Sequence, residues 1–172
     1  MIPMLETERL QLRAPCAEDA PIYAAFFADG EASRFYGGPL REDQAWRQLA
    51  VDLGHWQLRG HGRWAVVRRD TGAMIGGCGL WWASGWPRRE LTWWLVPQAR
   101  GAGYATEASR AAIAYGYDTL RWSLVETHMD DANHAARRLA ERLGGKVIAR
   151  EGFPDGKARD VFGLPHPETA GA

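Results

Sequence analysis

The sequence predicts a single α/β domain of the α+β kind, with elements in the order β-α-α-β-β-β-α-β-α-β-β. Three observations lead to this prediction. The length of 172 residues is that of one domain. Strand-like apolar runs alternate with segments of helical apolar spacing. Two glycines, Gly101 and Gly103, separate an apolar run from an alanine-rich helix pattern. We expect the domain to span residues 1–165 and residues 166–172 to form a loose C-terminal tail.

The N-terminal half is predicted to hold a strand, two helices and a hairpin. Leu10 and Leu12 alternate with charged residues, as in a half-buried strand. Acidic residues near its start and Gly30 beyond its end indicate a short helix, and apolar spacing indicates a longer one. Gly72 lies in the turn of the hairpin. The predicted bounds are 5–13, 16–28, 40–58, 64–69 and 73–82 in chain order.

The C-terminal half is predicted to hold a strand before the glycine turn, a helix after it, and then a β-α-β-β run. Small residues on one face of the first helix allow it to lie close to a sheet. Gly144 suits the C-terminal cap of the second helix. The turn Pro154-Asp155-Gly156 separates the last two strands. The predicted bounds are 88–96, 104–120, 122–129, 133–143, 146–150 and 157–164.

The strand, glycine turn and helix start at residues 91–108 indicate a site for a phosphate-bearing ligand. The first turn of a helix has N–H groups without intrahelical partners, and glycines allow a phosphate to approach them. A dinucleotide fold would carry a third glycine where Thr106 stands, although Glu126 lies near the spacing of its acidic residue. A P-loop requires a lysine after the loop, and the first lysine is Lys146. A turn that binds nothing is the third alternative.

The segment Gln98-Ala99-Arg100-Gly101-Ala102-Gly103 resembles the Q/R-x-x-G-x-G/A signature of the GNAT superfamily of acyl-CoA-dependent N-acetyltransferases. Residues 5–13, 89–95 and 103–108 resemble the branch that acetylates ribosomal-protein N-termini. Asn133 stands where the family has its coenzyme-contacting asparagine. The resemblance spans roughly residues 5–164 with its motifs in order. It implies a central mixed, splayed, mostly antiparallel sheet flanked by helices, with the coenzyme in the splay.

The resemblance implies acetyl-CoA as co-substrate. Backbone groups of the strand before the glycine turn would line the pantetheine, and N–H groups from Arg100 to Ala105 would hold the pyrophosphate. The predicted coenzyme-binding residues are Trp94, Leu95, Val96, Arg100, Gly101, Ala102, Gly103, Tyr104, Ala105, Thr106 and Asn133.

Acetyl transfer to an amine needs a group that accepts the amine proton. Glu90 stands where the branch places a glutamate suited to this task, and the alternative is a solvated glutamate paired with Arg88 or Arg89. His128 is the second candidate, on a strand that borders the implied cleft, although a lone strand histidine is more often structural. These two are the predicted catalytic residues.

Two positions depart from the family. Many members carry a serine or a tyrosine that protonates the departing thiolate, and here these positions are Ala136 and Ala140. The departure leaves two functions open. The first is an N-acetyltransferase that acts by direct attack in a ternary complex, and the second is a non-catalytic acyl-CoA-binding module.

We expect the acceptor wall within residues 34–56 and 84–89, with Arg34, Tyr36 and Trp86 in contact with the acceptor. Aromatic rings cover apolar groups, and arginines bind carboxylates. The further wall residues are Phe35, Trp46, Arg41, Arg88 and Arg89. We therefore expect a primary amine that also bears a carboxylate or an apolar group, such as an amino acid or a peptide N-terminus.

Composition argues against several other classes. Lys and Arg total 21, as do Asp and Glu, so the net charge of zero argues against nucleic acid or anionic membrane as partner. The start of the chain has no secretion signal and no run reaches about 18 apolar residues, so we expect a cytoplasmic protein. The oligomeric state stays open between monomer and homodimer. Cys16 and Cys78 lie in no metal-binding motif, and no metal site is predicted.

Overall fold

The computed structural model describes residues 1–169, in which eight strands form one sheet and helices flank it. The strands are β1 Leu5–Glu6, β2 Leu10–Arg13, β3 Arg63–Arg68, β4 Met74–Trp81, β5 Glu90–Leu95, β6 Val125–His128, β7 Lys146–Gly152 and β8 Ala158–Leu164. The α-helices are α1 Ala20–Ala28, α2 Gly30–Ser33, α3 Glu42–Arg59, α4 Tyr104–Asp118 and α5 His134–Arg142. Residues 170–172 of the predicted tail lie outside the described part. None of the described helices has the length and apolar content of a bilayer span.

The sheet opens between β5 and β6. The strand order is β1-β2-β3-β4-β5-β6-β8-β7, and every neighbouring pair is antiparallel except β5 and β6. These two strands are parallel and share one register pair, Glu90 with Glu126. Past that pair, Oγ1 of Thr127 donates to the carbonyl of Leu91 at 2.8 Å, so a side chain replaces the ladder. The prediction of a mixed, mostly antiparallel sheet flanked by helices is confirmed.

Apart from shifts in element bounds, two local details differ from the predicted elements. The strand expected at 5–13 is divided into β1 and β2, because the N–H and hydroxyl of Thr7 both donate to the carbonyl of Leu10 and close a turn. The short helix α2 was not predicted. Its start is fixed by the Asp29 side chain, which accepts from two backbone N–H groups of the next turn. Both differences arise from side-chain-to-backbone hydrogen bonds, which apolar periodicity does not report.

The two faces of the sheet carry separate hydrophobic clusters, and β5 contributes to both. Leu91 and Leu95 pack into the cluster under α4 and α5. Trp94 points to the opposite face, where it is 0% exposed and meets Tyr23 edge-on at 5.0 Å under α1. This alternation follows from the two-residue period of a strand. It leaves Trp93, which packs against the first cluster, on the face of the sheet that carries α4.

Two buried or half-buried ion pairs fix the helices of the N-terminal half. Asp52 of α3 is fully buried, 3.1 Å from the guanidinium of Arg63 on β3, and it accepts a hydrogen bond from the hydroxyl of Tyr23 at 2.8 Å. Asp19, just before α1, is bound by Arg13 of β2 at 2.6 Å. Because removing one partner of a buried pair leaves a charge unpaired, these contacts hold α1 and α3 in place on the sheet.

Candidate active site

The glycine turn leads from β5 into α4 and creates an open helix start. Gly101 and Gly103 have φ angles of 81° and 84°, a region that favours glycine. No side chain of the described residues caps the start of α4, so the N–H groups of Tyr104, Ala105 and Thr106 remain available to an anion. This start opens into a cavity of about 620 Å³, which we call the coenzyme cavity. The predicted coenzyme residues that line it are Leu95, Arg100, Gly101, Gly103, Tyr104, Ala105, Thr106 and Asn133.

The remaining predicted coenzyme residues are Trp94, Val96 and Ala102, and they lie beside this cavity with their contacts elsewhere. Val96 donates its N–H to Ile75 at 2.9 Å, on the β4 side of β5. The carbonyl of Leu91 accepts from Thr127 of β6. Because the backbone N–H and C=O groups of a strand point to alternate sides, those of Trp93 and Leu95 also face β6 and the splay. The carbonyl of Ala102 accepts from Arg9 at 2.9 Å. Trp93 therefore joins the candidate coenzyme residues; its signal was the strand alternation.

Four arginines of the described residues line the coenzyme cavity and supply positive charge to it: Arg34, Arg100, Arg138 and Arg142. Arg100 donates to the carbonyl of Leu95 at 3.1 Å, and Arg142 donates to the hydroxyl of Thr106 at 3.4 Å. Arg138 lies on the same helix as Arg142. The arginines, the open N–H groups and the left-handed glycines together fit a polyphosphate such as the pyrophosphate of acetyl-CoA.

A second cavity of about 360 Å³, the acceptor cavity, meets the coenzyme cavity at the splay. It brings together Glu90, His128, Arg34, Tyr36 and Trp86, which are all five of the predicted catalytic and acceptor residues. Six residues line both cavities, and we call them the junction residues: Arg34, Phe35, Tyr36, Trp93, Asn133 and Ala136. A molecule in one cavity is thus in contact range of a molecule in the other.

The two predicted catalytic residues form a close pair. Nε2 of His128 lies 3.0 Å from Oε2 of Glu90, and the two side chains are 6% and 17% exposed. The two atoms are poorly aligned, so the buried Nε2 has no hydrogen-bond partner within residues 1–169. Trp86 stacks parallel to the imidazole with ring centres 5.9 Å apart, and Phe153 packs at 4.1 Å. The aromatic rings hold the imidazole beside Glu90, with the buried Nε2 directed at the carboxylate.

The alternative in which Glu90 pairs with a neighbouring arginine does not occur. Arg88 binds Glu126 at 2.7 Å and also Glu151, and Arg89 lies over the ring of Trp82 at 4.9 Å. Neither arginine lines the acceptor cavity. The expectation that they form its wall is therefore wrong, because the partners that hold these side chains, Glu126, Glu151 and Trp82, do not line the cavity.

Two further residues predicted to form the acceptor wall lie elsewhere. Arg41 binds Asp43 at 3.0 Å, and Trp46 is 52% exposed on α3. Both line a groove next to α1 instead of the acceptor cavity. Helical spacing was correct for α3, but it does not say which side of the helix faces the cleft.

The hairpin between β7 and β8 completes the acceptor cavity. Asp155, Lys157 and Arg159 line it together with Asp130, which follows β6. Lys157 binds Asp130 at 2.5 Å, and Arg159 binds Asp155. The sequence indicated a turn at 154–156 and gave no signal that it reaches the cleft, because that depends on β8 lying between β6 and β7.

Asn133 and the two alanines of α5 have different environments. The side-chain oxygen of Asn133 accepts from the N–H of Ala136 at 3.1 Å and so caps α5, and Asn133 is also a junction residue. Ala136 is a junction residue as well, whereas Ala140 is fully buried in the core under α5. The wall of α5 therefore presents no acidic side chain at these two positions.

Known proteins share this architecture. The sequence profile of the acetyltransferase (GNAT) domain matches residues 9–146. YoaA, an uncharacterized N-acetyltransferase of Bacillus subtilis (strain 168), is 31% identical over 147 residues, 84% of this chain and 83% of that protein. The crystal structure of an acetyltransferase from Agrobacterium tumefaciens str. C58 superposes with a TM-score of 0.87 at 32% identity, covering 96% of this chain and 95% of the other.

A more distant protein shares the fold alone. RimL, a ribosomal L7/L12 alpha-N-protein acetyltransferase in complex with coenzyme A, superposes with a TM-score of 0.76 at 12% identity, covering 96% of this chain and 99% of that chain. The profile match and the relatives above 30% identity agree with the motif at residues 98–103 and with the splayed sheet. The chain belongs to the GNAT family of N-acetyltransferases, which use acetyl-CoA.

Proposed function

We propose that this protein transfers the acetyl group of acetyl-CoA to the primary amine of an amino acid or a peptide N-terminus, by direct attack in a ternary complex. The observation that carries the proposal is the meeting of two cavities at the splay between β5 and β6. One cavity contains an open helix start, and the other contains the Glu90 and His128 pair. The two reactants would meet at the junction residues.

The coenzyme would bind along β5 and across the start of α4. Its pyrophosphate would accept from the N–H groups of residues 104–106, with Arg100 and Arg142 beside it. The pantetheine would follow the backbone groups of Trp93 and Leu95 that face the splay. An N–H there would meet the thioester oxygen as negative charge builds on it.

Glu90 would accept the proton of the attacking amine. The amine nitrogen then forms a bond to the thioester carbon, and the bond between carbon and sulfur breaks with its electrons on sulfur. Nε2 of His128 lies 3.0 Å from Glu90, so the imidazole can share the proton with the carboxylate. We infer that the two residues act as one proton-accepting unit.

Charge in the acceptor cavity supports an acceptor with one ammonium group and one carboxylate or apolar group. Asp130 and Asp155 are neutralised by Lys157 and Arg159, which leaves the Glu90 carboxylate to attract the amine. Arg34 at the junction forms an exposed pair with Glu31 and can exchange that partner for the carboxylate of an acceptor. A polycation would need several unpaired carboxylates. The name of RimL describes action on a protein N-terminus, which agrees with this class, and we extend it to this chain as a proposal.

The test is release of free CoA from acetyl-CoA across amino acids, short peptides, polyamines and aminoglycosides. We expect amino acids or peptides to give the highest kcat/KM. Glu90→Gln should lower kcat/KM by about 10²–10⁴ with unchanged acetyl-CoA affinity, because the carboxyl lies away from the helix start. Glu8→Gln, an exposed carboxyl outside both cavities, is the matched control. A preference for polyamines or aminoglycosides would refute the acceptor class, and a full rate in Glu90→Gln would remove Glu90 from the chemistry.

A further inference from the structure

The junction of the two cavities is the place where the sulfur of the coenzyme would lie. Among the six junction residues, Ala136 has no polar side-chain atom, and the Asn133 oxygen caps α5. The Asn133 amide and the Trp93 indole carry N–H donors but no hydroxyl. Arg34 is exposed and paired with Glu31. Tyr36 is the junction residue that carries a hydroxyl. It therefore offers an O–H group at the point where the α5 wall offers none.

The hydroxyl of Tyr36 has no hydrogen-bond partner among residues 1–169, while contacts of the ring and backbone fix its position. The hydroxyls of Tyr23 and Tyr117 donate to Asp52 and to the Leu164 carbonyl, whereas no hydrogen bond within residues 1–169 engages that of Tyr36. The ring packs edge-on against Phe26 with centres 5.6 Å apart. The backbone N–H of Tyr36 donates to the carbonyl of Ser33, the last residue of α2, at 2.8 Å. This arrangement is that of a preorganised donor.

We propose that the Tyr36 hydroxyl donates a hydrogen bond to the coenzyme sulfur and stabilises the thiolate that leaves. The inference rests on the proposed function, because it needs the coenzyme at the junction. As the carbon–sulfur bond breaks, its electron pair stays on sulfur and Tyr36 keeps its proton. The amine proton goes to Glu90, and solvent protonates the released thiolate.

The acidity of the phenol decides between hydrogen-bond donation and proton transfer. Burial raises the pKa of Tyr36 to about 12, although the positive charge of Arg100 opposes this. A free thiol has a pKa of about 8.5. Proton transfer from the phenol to the thiolate would therefore run uphill, while a hydrogen bond that leaves the proton on oxygen remains available at every working pH.

The experiment measures the thiol pKa of CoA bound to the enzyme and needs no acceptor. The ultraviolet absorbance of the thiolate is followed against pH, with the complex of sulfur-free desulfo-CoA subtracted to cancel tyrosine ionisation. Hydrogen bonds to charged groups are worth enough to move this pKa by about 1–2 units. We therefore expect Tyr36→Phe to raise the bound thiol pKa by that amount. Arg34, Arg100, Glu90 and His128 are unchanged in the variant, so the comparison isolates the hydroxyl.

Tyr115→Phe is the matched control, since Tyr115 packs against Trp56 and Trp64 and lines neither cavity; it should leave the bound thiol pKa unchanged. With an acceptor that turns over, Tyr36→Phe should also lower kcat by about 10–100-fold at unchanged acetyl-CoA affinity, with an unaltered shape of the pH profile. CoA binding with the same thiol pKa in the wild type and in Tyr36→Phe would overturn the role of Tyr36 alone. A failure of CoA to bind would overturn the proposed function, and the role of Tyr36 with it.

Discussion

Gly103 is the position where one substitution separates coenzyme binding from folding. It is the N-cap of α4 with a φ of 84°, and a Cβ built there lies 3.4 Å from a guanidinium nitrogen of Arg9, its one neighbour within 4 Å. Gly103→Asp would put a carboxylate at the open N–H groups, where a phosphate is expected to bind. Gly103→Ala would introduce the same backbone strain without the charge.

The expected loss of affinity follows from charge at short range. A left-handed φ costs an ordinary residue roughly 1–2 kcal/mol, and both variants bear this in the free and the bound protein alike. The carboxylate would lie roughly 4 Å from a phosphate charge, where repulsion near a protein surface is about 4 kcal/mol. The carboxylate would also accept from the same N–H groups. We expect the Kd of acetyl-CoA to rise about 10³-fold in Gly103→Asp and by less than about tenfold in Gly103→Ala.

Calorimetric titration of acetyl-CoA into the wild type and both variants measures this difference, and circular dichroism establishes that each variant is folded. Equal affinities of the aspartate and alanine variants would refute the reasoning. That result would mean that the phosphates bind away from the α4 start, and it would remove the glycine turn from the coenzyme site.

Three further predictions concern other residues. If Glu90 and His128 act as one unit, the double variant Glu90→Gln/His128→Asn should lose no more kcat/KM than the worse single variant, and fully additive losses would contradict the unit. Asp52→Ala should lower the free energy of unfolding in urea by about 3–5 kcal/mol, because Arg63 keeps a buried, unpaired charge; a loss below 1 kcal/mol would show that water reaches the pair. Burial raises the pKa of Asp19, but Arg13 and the Cys16 N–H outweigh this and hold it below its usual range. The stability from this carboxylate is thus present above the unfolded pKa near 3.9 and lost as pH falls through the folded value, so the acid decrease in Tm should be smaller in Asp19→Asn.

The coenzyme half of the site could be predicted from the sequence because its elements are consecutive. The strand, the turn at Gly101 and Gly103 and the start of α4 form one continuous segment, and the left-handed φ angles require glycine. Glu90 and His128 could each be predicted as catalytic residues from the sequence. Their pairing could not, because it depends on the register of two parallel strands separated by α4.

The acceptor half could be predicted only in part, because distant segments build it. Arg34 and Tyr36, which were predicted, come from the connection between α2 and α3, whereas Lys157 and Arg159, which were not, come from the last hairpin. Arg34 and Trp86 of the predicted wall line the cavity, whereas Trp46 faces away from the cleft on α3. A sequence reports which face of an element is apolar, but the strand order decides which loops meet.

The last hairpin has a consequence for how acceptor preference can change. The family profile ends at Lys146, before the strand pair whose turn supplies Asp155, Lys157 and Arg159 to the acceptor cavity. The segment that the profile matches thus contains the glycine turn and α4, while part of the acceptor wall lies beyond it. Substitutions in this turn would change the acceptor cavity and leave the motif at residues 98–103 intact, so acceptor preference can change without loss of the coenzyme site.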